Sequence, residues 1–274
     1  MIFRTCLCVV LTACAVLTPA TLHAREYRGM EKKNIALESA TTLVFGPDDI
    51  LFIGDSKAAT VVAVATGDTG EGSHGHSIQI DDVLAKLAAH TKAEQVAIQD
   101  LVVNPRTGTP FLAVHADQKP LIIKVVGDGN FEVLDLQSCP SSQAVLDDAP
   151  EDKVVRQGRR SRNPRDDSIT DLAFFENKLL VSGLRDAVAS STVRELSFPF
   201  VNQERGVGVQ IYHAAHGREE DTAAMRTFVP LMIDGEPTIV GAYVCTPLVK
   251  ISVEDLSNAG DSVGATTVAE LGNR

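Results

Sequence analysis

Four repeat units each begin with a short oxygen-bearing residue directly before a large apolar one: Thr42-Leu43, Asp100-Leu101, Asp171-Leu172 and Thr227-Phe228. If these anchors face a common channel, carboxylates among them could hold Ca²⁺ or another divalent cation through oxygen ligands, and such an ion could activate a water for hydrolysis. Asp55, His115, Arg185, Asp186 and Tyr243 fall near the same channel mouth when each anchor opens an inner strand. A plainer use competes: Thr and Asp share a short acceptor able to cap backbone N–H groups at a turn. Capping is the expected role. A metal held by some of Asp55, Asp100 and Asp171 is the alternative.

His213 and His216, and likewise His74 and His76, have spacings that metal ligands use, and imidazole suits Zn or Cu. Residues three apart on a strand point to opposite faces, so His213 and His216 share a metal only if the chain has turned by Ala215. Surface or turn histidines are expected. Residues 137–168 run from "PSSQAVLDDAPEDK" into "VRQGRRSRNPRDDS", acids first and arginines second. Arg156, Arg159, Arg160, Arg162 and Arg165 could contact an anion or a partner; a solvated, partly disordered loop is the expectation.

The elements that carry these residues repeat. After each anchor comes a turn rich in Gly, Pro, Asp or Asn, then an apolar strand ("ILFIG", "FLAVH", "LLVSG", "TIVGAY"), then a third ("TVVAVATGD", "LIIKVVGDG", "TVRELSFPF", "LVKISVEDL"). "FEVLDL" and "GVQIYHA" read as fourth strands of the second and third units, and "TTVAELGNR" as that of the fourth. The anchors are 58, 71 and 56 residues apart. The pattern predicts an all-β chain, a β-propeller of four-stranded blades in consecutive order, incomplete with four blades present and truncated at its C-terminus. One inserted helix is expected within 79–95, capped by Asp81 or Asp82 and packed on the rim.

Residues 1–24 place a cationic start (Arg4) before an apolar run and small residues, the order of a secretory signal. The expected domains are this signal and a propeller over 25–274, in a secreted or periplasmic protein; "LTAC" at 11–14 resembles a lipoprotein box and offers a lipidated alternative. Removing the signal takes away one Arg and no acid, moving the formal charge from −11 to −12. Such a surface disfavours nucleic acid and anionic membranes. No later stretch is long and apolar enough for stable membrane insertion by a helix. Cys139 and Cys245 remain after the signal. An intervening blade should keep them from bonding to each other.

The chain has no Trp, which disfavours pyrroloquinoline-quinone dehydrogenases and WD repeats, and paired kelch glycines are missing. It has no Cys-x-x-Cys-His for covalent haem, no Gly-x-Ser-x-Gly elbow and no phosphate loop. "SITDLAFFENKLLVSGL", "IYHAAHG", "RTFVPLMIDGE", "GAYVCTPLVKI" and "TTVAELGNR" resemble exported bacterial propeller-like proteins of unassigned function, over roughly residues 75–274; the repeats are loosely similar to NHL-like and gluconolactonase-like propellers. The resemblance implies a chain that continues past "AELGNR" and supplies no catalytic residue. The expected function is non-catalytic binding of an unidentified protein or small-molecule ligand through the loop-rich face. A metal-dependent hydrolase or lactonase is the alternative.

Overall fold

The computed structural model describes residues 27, 29–68, 77–157, 160–188, 190–200, 206–214, 217–244 and 247–270. The leader, His74, His76, Arg159, His216 and Cys245 therefore lie outside the described residues, as does the side chain of Arg160.

The chain opens with Glu31–Lys32 (β1), Thr42–Phe45 (β2), Ile50–Asp55 (β3) and Thr60–Ala65 (β4), followed by the helix Val83–Thr91 (α1). Next come Val96–Val103 (β5), Pro110–Ala116 (β6), Lys119–Val126 (β7), Asn130–Val133 (β8), Pro140–Val145 (β9) and the short strands Val155–Gln157 (β10) and Arg160–Arg162 (β11). A 3₁₀ turn, Pro164–Asp167, leads into Asp171–Phe175 (β12), Lys178–Leu184 (β13), Ser191–Ser197 (β14), Val207–His213 (β15) and Arg218–Glu220 (β16). The last group is Met225–Ile233 (β17), Glu236–Tyr243 (β18), Pro247–Ser252 (β19), the helix Val253–Asn258 (α2), Ser262–Gly264 (β20) and Thr266–Glu270 (β21).

These strands form four main antiparallel sheets: I (β1-β9-β4-β3-β2), II (β5-β6-β7-β8), III (β12-β13-β14-β15-β16) and IV (β17-β18-β19-β21), with β20 added parallel to β15. Each anchor falls in the first of four antiparallel strands, as the repeat predicts. The hairpins from first to second strand turn tightly; Glu176-Asn177 and Asp234-Gly235 both take positive φ, the geometry that matches the twist of the flanking strands.

Four expectations need correction, the last of them the seat of α1. Residues 137–168 are not simply a solvated loop, because Pro140–Val145 forms β9 and pairs with β4 to complete sheet I. Sheet II is thus inserted between the third and fourth strands of sheet I. The chain returns to sheet I before starting sheet III, so first strands neighbour each other as β5, β2, β12, β17 and the sheets stand in the row II, I, III, IV instead of sequence order. A second helix, α2, also appears; Ser252 caps it by accepting from Asp255 N.

Apolar residues on both faces of the sheets explain the row. Phe52, Val61 and Ala63 of sheet I pack on Leu172, Leu179 and Val181 of sheet III; Leu51, Ile53 and Val62 on the other face of sheet I meet Phe111, Ala113 and Ile122 of sheet II. Leu180, Val193 and Val209 of sheet III meet Met225, Ile239 and Val249 of sheet IV. Burial of this kind contributes about 25 cal/mol per Å² of apolar surface. The far face of sheet II is covered by α1, whose buried Leu87 packs with Leu112, Val114, Ile123 and Val125. The helix is capped by Asp82, which accepts from Ala85 N. It therefore covers a sheet face, where an apolar stripe has something to bury, and not a rim. On the far face of sheet IV, Val229 and Leu231 remain exposed.

Candidate functional site

Hydrogen bonds gather the segments that lead into the first strands against the turns that follow the second strands. Asp55, at the end of β3, accepts from Glu38 N (2.7 Å), Ser39 N (2.9 Å) and Ala58 N (3.1 Å). Asp117, after β6, accepts from Glu94 N and Gln95 N. Ser168 Oγ donates to Ser56 O (2.8 Å), and Ser56 Oγ donates to Ile169 O (2.8 Å). Arg226 at the start of β17 holds Asp167 through both terminal nitrogens, at 2.6 and 3.3 Å. The result is a single loop-rich rim. Gly183 shows how close the approach is, since a Cβ there would sit 2.1 Å from Ser168 O.

At this rim the anchors act between sheets. Asp100 accepts from Leu43 N of sheet I at 2.7 Å and from Leu101 N at 2.8 Å. Asp171 accepts from Phe228 N (2.9 Å) and the Thr227 hydroxyl (2.7 Å) of sheet IV, and from Leu172 N (2.9 Å). Thr and Asp alternate because each Asp grips the Thr-bearing strand of the next sheet. Burial raises the Asp100 pKa; its backbone donors oppose this and the Asp171 charge adds to it. Truncating Asp171 to Ala strands three donors, so we expect a loss of about 1–3 kcal/mol in urea unfolding. A loss below a few tenths would show that the grip between sheets III and IV contributes nothing.

The other predicted residues reach this rim or its neighbourhood already engaged. His115 Nε2 accepts from Ala40 N at 3.3 Å, which requires the neutral imidazole, and burial together with Lys57 lowers its pKa against the opposing pull of Asp55. Arg185 donates to Gly206 O (2.6 Å) and to Asp261. Asp186 N donates to Asp148 O. The Tyr243 hydroxyl lies 3.1 Å from Ser191 Oγ, and burial pushes its pKa up. His213 is buried with Nδ1 3.1 Å from Glu220 Oε2, a bond within the β15–β16 hairpin. The structure thus brings Asp55, Asp100, Asp171, His115 and Arg185 to backbone and side-chain partners. Among the described residues, no three His, Cys, Asp or Glu side chains are grouped as a metal site. Cys139 is a free thiol whose pKa is raised by burial.

The arginine run is more structured than its composition suggests. β10 and β11 pair with each other in the register Val155 to Arg162, and neither joins a main sheet. Among the described residues Arg162 Nε and Arg165 Nε are buried with no hydrogen-bond partner, and Asp167, 3.9 Å from Arg162, already holds Arg226. From Lys153 to Arg165 the chain has six cations and no acid, within a protein of formal charge −11.

Two buried polar networks escape the sequence reading. Arg194 donates to Asp148 Oδ1 from Nε (3.0 Å) and Nη2 (2.8 Å) and to Leu184 O (3.0 Å); the sequence signals it only as an Arg between the apolar Val193 and Leu196 of a strand. At the opposite rim, Asp49 holds Arg106 at 2.7 Å through both oxygens, and Asp68 binds Lys124 (2.8 Å), Asn104 (3.0 Å) and Thr107. Burial alone would raise the Asp68 pKa, but Lys124 and the Thr107 and Thr109 hydroxyls outweigh it and hold the carboxyl below its usual range. A carboxylate lowered on folding adds stability above its unfolded value, about 3.9, and loses it as pH falls through the lower folded value. The urea midpoint should therefore fall below pH 4, less steeply in Asp68→Asn. Identical acid limbs would show that Asp68 has no part in the acid loss.

No protein-family model matches the chain, and no curated protein matches it significantly.

Proposed function

We propose that the four sheets are propeller blades arranged around the line of β5, β2, β12 and β17, and that the protein is an exported, non-catalytic binding protein. Support for the blades comes from the neighbouring first strands and from the Asp grip, which runs in one sense along the row, from II to I and from III to IV. Export rests on the order of residues 1–24.

One observation carries the binding reading. The loop-rich rim bears a hairpin that belongs to none of the four sheets, within a stretch, Lys153 to Arg165, of six cations and no acid. Guanidinium groups so placed suit an anionic group on a partner or ligand.

Crosslinking in the exported fraction should identify the partner, and its affinity can then be measured with purified protein. Arg162→Ala/Arg165→Ala is expected to weaken binding roughly tenfold or more, as two charge-assisted contacts are lost, with an unchanged melting curve. Undiminished affinity would remove the hairpin from the reading. Stoichiometric divalent metal, lost together with turnover in Asp100→Ala, would replace it with a hydrolase.

A further inference from the structure

We infer that a cleft between sheets III and IV, on the opposite rim, is a separate binding site for a small amine with an apolar body. The cleft has a volume of about 340 Å³, within the range of small-ligand sites. Phe175, Leu180, Pro237 and Val253 supply its apolar floor. Phe175 and Pro237 sit beside the turns that join first to second strands, so this rim faces away from the loops that lead into the first strands.

Charge selects the ligand. Lys178 Nζ lies 3.1 Å from Glu195 Oε1 and 3.3 Å from Ser257 Oγ, and Ser257 Oγ lies 2.9 and 2.8 Å from the two Glu195 oxygens. That network neutralises Glu195 and fixes one wall. Glu176 and Glu254 also line the cleft and have no ion-pair partner among the described residues. An apolar floor below two unneutralised carboxylates attracts an ammonium group and repels a carboxylate of the same shape.

Hexylamine is the test probe, with hexanoate and hexanol as matched controls, read by ¹⁵N NMR shifts on the whole chain. A probe of this size should bind with Kd on the order of millimolar. Hexylamine is expected to shift amides at 175–178, 195, 238–239 and 253–258, and the controls to shift them several-fold less. Glu176→Gln/Glu254→Gln, both changes at the mouth and outside the core, should weaken hexylamine roughly fivefold or more. Three outcomes would overturn the inference: equal response to hexanoate, no shifts at these amides, or unchanged affinity in the double variant. None of them bears on the cationic hairpin of the opposite rim.

Discussion

Asp148→Ala is expected to cost about 3–5 kcal/mol of folding stability, because it leaves the buried Arg194 guanidinium without its carboxylate. For a chain of this size the loss corresponds to a drop in Tm of roughly 10 °C. Arg194 is 1% exposed, so water cannot replace the lost partner, and among the described residues its other hydrogen bonds go to the carbonyl oxygens of Leu184 and Ser168. Burial already lowers its pKa, with Asp148 the largest opposing influence. Asp148 also accepts from Gly206 N at 3.0 Å, so the substitution frees a second donor. Urea unfolding at constant m-value measures the cost. Arg194→Met/Asp148→Ala should recover part of it, because a buried apolar chain needs no counter-charge. A cost below 1 kcal/mol in Asp148→Ala would mean that the carbonyls alone support the charge.

The position of Asp148 shows what a linear reading can and cannot reach. First, second and third strands were legible because each unit repeats an oxygen anchor, a turn and two apolar runs, and β2 to β4, β5 to β7, β12 to β14 and β17 to β19 follow them. The fourth strand of sheet I was not. β9 is "PSSQAV", whose buried residues include Ser141 and Ser142, so its apolar content is too low to announce a strand. Pairing with β4 makes it one. The order of sheets was illegible for a related reason: the repeat reads the same whether the chain passes directly from sheet II to sheet III or first returns to sheet I. Helix α2 has only six residues, too few for a periodic signal.

At the rim, residue types were legible and partners were not. Asp100 and Asp171 stand out as carboxylates at equivalent positions, which equally suits a metal site and a grip on backbone N–H groups. The choice depends on Leu43 and Phe228, 57 residues away in each case, and only the packed sheets bring those donors within 3 Å. The arginine run shows the opposite limit. Composition marks residues 153–165 as charged and favours a solvated loop, yet a short register of three pairs orders them as a hairpin.

The row of sheets itself is tested by Phe52→Ala, which is expected to destabilise by about 3–5 kcal/mol through lost burial and the cavity left behind. Phe52 is fully buried in sheet I and faces sheet III: its ring stacks on Phe174 at 5.8 Å and meets Phe198 and Phe200 edge-on at 5.2 and 6.0 Å. Gly46 makes room for it, since a Cβ there would come within 2.4 Å of the ring. Phe52→Leu should cost less, because much of the volume is retained. The discriminating measurement is the double-mutant cycle with Phe174→Ala. Direct contact predicts that the double variant loses about 0.5–1.5 kcal/mol less than the sum of the single changes, because each single change already removes the shared contact. If the sheets stood in sequence order, sheet II would lie between I and III, Phe52 and Phe174 could not touch, and the two losses would simply add. Additivity within error would therefore reject the insertion of sheet II into sheet I, and a loss short of the sum would place sheets I and III side by side in solution.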